Sequence, residues 1–138
     1  MPTNSTAARA LTLGVVLTAL AISSCSFADQ STWSSAMAND TFSKAFTLRS
    51  TTGVSDDTLA HLRACESHGN YQAVSASGSF RGAYQFARGT WNHTASQVLP
   101  GYSGIDPIAA PPYVQDAMAR ALWKQTGPSS WPVCGRRV

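Results

Sequence analysis

The chain has 138 residues, of which 12% are charged, and its formal net charge is +3 at pH 7. This length allows one folded domain, and the first quarter of the chain does not have the composition of a folded domain. The basic residues form no continuous stripe, so the charge pattern gives no indication of a nucleic-acid partner.

The first 28 residues have the order of an export signal. Arg9 precedes a largely apolar run over residues 10–22, and small polar residues follow at 23–26. The run has 13 residues, which is too few to span a bilayer comfortably. We therefore predict an exported protein that is either secreted or associated with the cell envelope.

Two processing sites compete at the end of this signal. The segment Ile22–Cys25 resembles the processing box of lipoproteins, in which Cys25 is acylated and becomes the new N-terminus. The segment Ser26–Ala28 instead offers a signal-peptidase site, with cleavage before Asp29. Acylation explains why a cysteine ends the apolar run, and an uncleaved membrane anchor is the third alternative.

Residues 29–54 have the composition of a flexible tether. They are rich in serine, threonine, asparagine and alanine and show no firm hydrophobic period. One weak helical turn is predicted around Phe42 to Leu48. The folded domain is predicted over residues 55–138.

Three helices and a short hairpin are predicted in this domain. Ser55 caps the first helix, whose first turn is acidic and which stops at Gly69. The serine- and glycine-rich segment 75–82 predicts a turn or small hairpin. A second helix runs from residue 87 or 90 to 98, and a third opens at Pro111 or Pro112 and ends before Gly127. The predicted fold class is mainly α, an α+β domain with a short hairpin.

Glu66 is the only glutamate of the chain, and it lies at the end of the first predicted helix. No carboxylate follows it through Ile105, and this stretch carries aromatic and amide side chains instead: Asn70, Tyr71, Phe80, Tyr84, Gln85, Phe86, Trp91 and Asn92. An acid that faces such a wall is partly desolvated, which raises its pKa. We interpret Glu66 as a proton donor; the alternative is a solvated glutamate at a helix end.

Either processing route removes Cys25 from the free thiols and leaves Cys65 and Cys134. An even pair in an oxidising compartment predicts a disulfide, and two reduced buried cysteines are the alternative. Closing a loop of this size stabilises the fold by about 4 kcal/mol in the chain-entropy account.

Four ordered motifs carry a family resemblance, and they span about residues 59–135. They are Arg63–Tyr71 (RACESHGNY), Arg81–Phe86 (RGAYQF), Gly89–Trp91 (GTW) and Trp131–Cys134 (WPVC). Together they resemble the transglycosylase-like domain of resuscitation-promoting factors. The resemblance implies a small lysozyme-like fold that acts on the glycan strands of bacterial peptidoglycan, with Glu66 as the catalytic acid.

The resemblance also implies a substrate cleft. Gln85 and Thr90 fall on positions that line the sugar cleft near the glutamate, and Cys65 and Cys134 correspond to the paired cysteines of the family. His68 stands where the family commonly has glycine, which alters the rim of the cleft. The predicted substrate-binding residues are Asn70, Tyr84, Gln85, Thr90 and Trp91. Thr90 has a second interpretation, as a cap of the following helix.

A single carboxyl group suffices for a lytic transglycosylase. Glu66 protonates the oxygen between N-acetylmuramic acid and N-acetylglucosamine and then takes the proton of the muramyl C6 hydroxyl, which closes a 1,6-anhydro ring. A glycosidase usually needs a second carboxylate as nucleophile or base. Asp106 is the candidate for it, but its place before Pro107 suits a turn or a cap. A lysozyme-type hydrolase, and a cell-wall-binding or signalling module without turnover, are the alternatives.

The expected partners are peptidoglycan glycan strands, with a peptidoglycan endopeptidase as a candidate second partner. The positive excess suits an anionic cell wall, although a solvated face explains it equally well. We expect no nucleic acid, and membrane association only through a lipid anchor or an uncleaved signal. No cofactor is expected: His61, Cys65 and His68 have a spacing that suits a metal, but the disulfide claims Cys65.

Overall fold

The computed structural model describes the chain from Phe27 to Val138, and the predicted acylation site at Cys25 lies outside the described residues. Four α-helices and one hairpin form this part: α1 Phe27–Thr51, α2 Asp56–Ser67, β1 Phe80–Arg81, β2 Phe86–Ala87, α3 Arg88–Val98 and α4 Pro112–Thr126. Short 3₁₀ turns connect or follow the later helices. Within residues 27–138, none of the helices is both long and apolar enough to cross a membrane.

Helix α2 begins at the predicted cap. The hydroxyl of Ser55 accepts a hydrogen bond from the backbone N–H of Thr58 at 2.9 Å, which satisfies a donor left free by the first turn. The helix ends where His68 adopts the left-handed conformation with φ 56°. The N–H of Gly69 then returns to the carbonyl of Arg63 at 2.9 Å. The stop therefore uses His68 as well as the predicted Gly69.

The hairpin lies a few residues later than the sequence predicted. Phe80 pairs with Ala87 and Arg81 with Phe86, so the paired strands enclose the turn 82–85. The segment predicted as a turn or hairpin, 75–82, forms a tight turn in which the Gly78 N–H donates to the Ser75 carbonyl at 2.8 Å. Serine and glycine marked the first turn, but the second turn contains Tyr84 and Gln85, which are not turn signals.

The core gathers around the centre of α4 and a cluster of aromatic rings. Val114, Met118 and Ala119 of α4 are fully buried, and Phe86 packs edge-on against Trp91 and Trp131 at 5.2 and 6.2 Å between ring centroids. The buried indole of Trp131 donates to the carbonyl of Tyr84 at 2.9 Å. This bond leaves no buried donor on that ring and fixes the C-terminal segment against the turn 82–85.

Cys65 and Cys134 form the predicted disulfide, with their Cα atoms 5.7 Å apart. It joins the end of α2 to the C-terminal 3₁₀ turn Cys134–Arg137. The predicted fold class is confirmed: the described chain is mostly helical, carries one two-stranded antiparallel hairpin, and is linked by one disulfide.

The segment predicted as a tether differs from the expectation. Residues 27–51 form one continuous helix, and the single turn predicted at Phe42 to Leu48 is only its middle. Ala45 is buried in the core cluster, Leu48 is half-buried, and Phe46 is 62% exposed. The small residue Ala45 makes the central contact, and the large residue Phe46 points outward. The sequence therefore lacks the regular spacing of large apolar residues that marks a packed helix. The division of the chain at residue 54 stays a prediction.

A buried glutamine connects α4 to the turn 82–85. The side chain of Gln115 is fully buried, and its Oε1 accepts from the Ala83 N–H at 2.9 Å. Its Nε2 donates to the carbonyls of Tyr71 and Ala110, both at 3.1 Å. Gly82 has φ +79°, and a Cβ atom there would lie 2.4 Å from Gln115 Oε1. The turn therefore requires glycine for its conformation and for its contact.

We predict that Gly82→Ala is much more destabilising than Gly78→Ala. Gly78 also has positive φ, 71°, but a Cβ atom there meets nothing within 4 Å. Gly78→Ala should cost about 1 kcal/mol in free energy of unfolding, from conformation alone. Gly82→Ala should cost about 2 kcal/mol more, because the methyl group displaces Gln115 from Ala83. Urea denaturation of both variants measures the difference, and equal losses would show that Gln115 does not restrain this turn.

Candidate active site

Glu66 occupies the last turn of α2, directly after the disulfide-bonded Cys65. Its side chain is half-buried, and burial raises the pKa of its carboxyl group above the ordinary value. Desolvation is the only cause of this shift, and the carboxylate has no hydrogen bond or ion pair to any other residue in the described range 27–138. A carboxyl group in such surroundings holds its proton at higher pH than an exposed one and is free to donate it.

The residue after Glu66 ties α2 to the turn 82–85. The Ser67 hydroxyl is within hydrogen-bonding distance of the Ala83 carbonyl, at 2.8 Å, and of the Arg63 carbonyl, at 3.1 Å. Two residues further along the turn, Gln85 has φ 49°, a left-handed conformation that is unfavourable for a residue with a side chain. Its Nε2 donates to the Gly82 carbonyl at 2.9 Å. Strained residues of this kind cluster at functional sites, although the other such residue, His68, serves the end of helix α2.

Gln85 and Thr90 lie together on the wall of one cavity of about 190 Å³. The other walls are mainly apolar and include Phe80, Leu122 and Trp131. Thr90 is exposed and lies inside α3, whose N-cap position is Ala87. Thr90 therefore does not cap the helix, so its hydroxyl is available to a ligand. Gln85 and Thr90 thus supply polar groups to one cavity, and Glu66 is not among the residues that line it.

Tyr84 and Trp91 are placed in the core, which corrects their assignment as substrate-binding side chains. Both are completely buried. The Tyr84 hydroxyl donates to Asp116 Oδ1 at 2.6 Å, and the Trp91 indole donates to the Tyr102 carbonyl at 3.0 Å. Neither ring presents a surface to a sugar. The sequence alternates polar and aromatic residues here. This pattern does not distinguish aromatic rings that are buried in the core from rings that would line a substrate cleft.

Asn70 is exposed in the loop that follows α2. Its Oδ1 accepts from the Gln72 N–H at 2.8 Å, and its carbonyl accepts from the Ala73 N–H at 3.1 Å. These bonds form an Asx turn that shapes the loop next to Glu66. The side-chain N–H donors of Asn70 stay available to a ligand.

The other half-buried acids are engaged by neighbouring residues. Asp106 Oδ2 pairs with Arg81 at 3.1 Å and Arg88 at 3.3 Å, and its Oδ1 caps the following 3₁₀ turn through the Ile108 N–H. The capping role predicted for Asp106 is confirmed. Asp116 Oδ1 accepts from Tyr71 as well as from Tyr84, and burial, followed by the hydrogen bond to Asp116 and its charge, raises the pKa of Tyr71 to about 12. Both carboxylates have structural partners, unlike Glu66.

Gln115 and Asp116 are residues that the sequence reasoning missed. Both lie in the predicted third helix, and Gln115 follows the buried Val114 directly. A glutamine on the apolar stripe of a helix was the available signal, because a buried amide must find hydrogen-bond partners. Gln115 is hydrogen-bonded to the backbone of Tyr71, Ala83 and Ala110. These residues lie in turns and loops, and hydrophobic periodicity does not predict where such segments lie in the fold.

The set of His61, Cys65 and His68 does not form a metal site in the structure. Cys65 is in the disulfide and both histidines are exposed. Over the described part of the chain, no three His, Cys, Asp or Glu side chains stand close enough to hold a metal ion.

Comparison with known proteins places these features in a family. The family model described as "Transglycosylase-like domain" matches residues 53–134, which include α2, the hairpin, α3, α4 and both cysteines. The chain is 39% identical over 82 residues to a protein of Staphylococcus saprophyticus named "Probable transglycosylase SceD 3", which covers 57% of this chain and 33% of that protein. It is 37% identical over 86 residues to "Probable transglycosylase SceD" of Staphylococcus aureus strain Newman, covering 60% and 36%. The chain thus spans about a third of the length of the curated relatives it matches. No solved structure matches it.

We predict that Glu66→Gln stabilises the fold at neutral pH. The folded-state pKa of Glu66 is raised, so the native state binds this proton more tightly than the unfolded chain, and stability falls as pH rises through the window above 4.5. Glutamine does not ionise and avoids this loss. The variant should therefore be more stable than the parent at about pH 7 and indistinguishable from it well below the unfolded pKa. Urea denaturation against pH measures this, and a variant that is less stable at neutral pH would reveal an unseen partner of the carboxylate.

Proposed function

We propose that this chain, which belongs to the transglycosylase-like domain family, cleaves the glycan strands of peptidoglycan. The relatives in the comparison carry the name of transglycosylases, which supports this class of reaction. The observation that carries the proposal is Glu66, a half-buried carboxyl group with a raised pKa and no charged partner in the described chain, next to the turn that bears Gln85. A carboxyl group whose pKa is raised by desolvation is suited to donate a proton to a glycosidic oxygen.

The proposed reaction is a lytic transglycosylation at the β-1,4 bond between N-acetylmuramic acid and N-acetylglucosamine. Glu66 donates its proton to the glycosidic oxygen as the bond from muramyl C1 to that oxygen breaks. The muramyl C6 hydroxyl then attacks C1, and the carboxylate of Glu66 takes the hydroxyl proton, which restores the acid. The products are a 1,6-anhydromuramyl end and a free C4 hydroxyl on the departing sugar, so no water is consumed.

The other half-buried acids, Asp106 and Asp116, already have partners, and this favours a mechanism in which Glu66 is the one catalytic carboxyl group. Asp106 is neutralised by two arginines, and Asp116 accepts two tyrosine hydroxyls. A carboxylate that already has such partners is a poor nucleophile or base, because freeing it would leave buried donors or charges unpaired. An intramolecular hydroxyl on the substrate removes the need for a second carboxylate. If water attacks C1 instead of that hydroxyl, the reaction is a hydrolysis, and Glu66 would be its acid as well.

The sequence motifs support a narrower assignment within this family. We place the chain with the resuscitation-promoting factors within this family, with a lysozyme-like fold and with export directed by residues 1–28. The domain begins at residue 55 in this proposal, acylation at Cys25 anchors it when that processing route is used, and its substrate is reached in the cell envelope. A peptidoglycan endopeptidase is the proposed partner enzyme, since it would cut the peptides that join the strands.

Product analysis tests the proposed reaction. Purified peptidoglycan digested with the protein should yield anhydromuropeptides by mass spectrometry, and Glu66→Gln should yield none while keeping its circular dichroism spectrum, because the amide cannot donate the proton. Reducing ends instead of anhydro ends would assign the hydrolase. Absence of any product from the parent protein would support the module without turnover, and activity of the variant within about tenfold of the parent would remove Glu66 as the acid.

Gln85 and Thr90 are predicted to serve the substrate. Gln85→Gly should lower cleavage about tenfold, equivalent to one lost hydrogen bond. Glycine adopts the positive φ without strain, which stabilises the fold, but the variant loses the hydrogen bond to the Gly82 carbonyl. Because these two effects oppose each other, the thermal stability should stay close to that of the parent. Thr90→Val should lower cleavage by a similar factor, and Thr90→Ser, which keeps the hydroxyl, is its control.

Initial rates on peptidoglycan and melting temperatures of the three variants are compared with those of the parent. A large loss of melting temperature with unchanged rate would assign either residue to the fold and not to the sugar.

A further inference from the structure

A second and larger cavity, of about 360 Å³, lies where α1 meets α2 and α4. One wall is aromatic, formed by Phe42 and Phe46 of α1 and Tyr113 of α4. Phe42 and Phe46 are 60% and 62% exposed, and the rings of Phe42 and Tyr113 meet edge-on at 5.8 Å. Aromatic side chains grouped at the mouth of a cavity offer an apolar surface that solvent can reach.

The cavity is also lined by charged residues with a positive excess, namely three arginines, Arg49, Arg63 and Arg120, and two aspartates. Asp56 is fully engaged: one carboxylate oxygen pairs with Arg49 and the other with Arg120. Asp116 accepts the hydroxyls of Tyr71 and Tyr84 through Oδ1.

Of these three arginines, Arg63 is the one that forms no ion pair with a residue of the described chain. Its one hydrogen bond to the described chain is long, 3.3 Å from Nη1 to the Tyr84 hydroxyl. A guanidinium has five N–H donors in a planar fork that matches a carboxylate. Arg63 therefore faces the cavity with most of its donors uncommitted.

We infer that this cavity binds a small organic carboxylate that carries an aromatic or aliphatic group. The carboxylate pairs with the guanidinium of Arg63, and the apolar group packs against Phe42, Phe46 and Tyr113. The volume lies at the lower end of the range for small-molecule sites, which suits a single amino-acid-sized ligand. Phe42 and Phe46 precede residue 53, where the family match begins, so one wall comes from outside the family domain. The inference does not depend on glycan cleavage.

An NMR titration of the protein tests the site with three probes. N-acetylphenylalanine has both the carboxylate and the ring, its C-terminal amide has the ring without the charge, and acetate has the charge without the ring. N-acetylphenylalanine should shift the resonances of Arg63 and Ala117, which line the cavity, with a dissociation constant of about 1 mM or lower. The amide and acetate should each bind at least about tenfold more weakly.

Two variants and a control locate the binding. Arg63→Gln removes the charge, and Phe46→Ala removes an exposed ring whose loss leaves the core intact. Each should weaken N-acetylphenylalanine at least about fivefold. Met37→Ala, an equally exposed substitution on the same helix, does not touch this cavity and should leave binding unchanged. Absence of binding, equal binding of acid and amide, or binding unaffected by Phe46→Ala would overturn the inference, whatever the protein does to peptidoglycan.

Discussion

The amide of Gln115 holds together three backbone segments that are distant in sequence. It binds Tyr71, which follows α2, Ala83 in the turn of the hairpin, and Ala110, which precedes α4. Because the amide is completely buried, all three bonds form without competition from water, and losing any of them leaves a polar group unpaired. The position of Gln85 relative to Glu66 therefore depends on a side chain that is hydrogen-bonded to neither of them.

The charges of the domain are distributed in a way that isolates the proposed acid. Asp56 and Asp106 pair with arginines and Asp116 accepts tyrosine hydroxyls, and these pairs join elements that would otherwise only pack. Arg120, almost completely buried, bridges α4 to the start of α2 through Asp56 and the Val54 carbonyl. Burial of such ions is tolerated because both partners are present. Among the half-buried acids of the described chain, Glu66 has no such partner, and desolvation without a partner changes the pKa of a carboxyl group in the direction of an acid catalyst.

Local signals in the sequence predicted the parts of the fold that local physics determines. The cap at Ser55, the ends of the helices and the disulfide follow from residue type and spacing, and the structure agrees with them. The proposal of Glu66 as the acid came from composition, since a single glutamate beside a stretch without carboxylates stands out. The placement of Tyr84 and Trp91 was wrong because an aromatic ring suits a core and a sugar cleft equally well. Helix α1 was missed because Ala45 makes its contact, and alanine contributes little to a hydrophobic period.

The disulfide can form only after most of the domain has been synthesised, because Cys134 lies near its C-terminal end. Its cysteines are 69 positions apart, and the hairpin, α3 and α4 all lie between them. During synthesis the helix that bears Glu66 is made before the hairpin, α3 and α4, yet its covalent restraint can form only after all those elements have been made. Until that oxidation occurs, the domain lacks about 4 kcal/mol of the loop-closure stabilisation. A newly made chain held among reduced thiols is thus the less rigid form of the protein, and the geometry around its proposed acid is completed last.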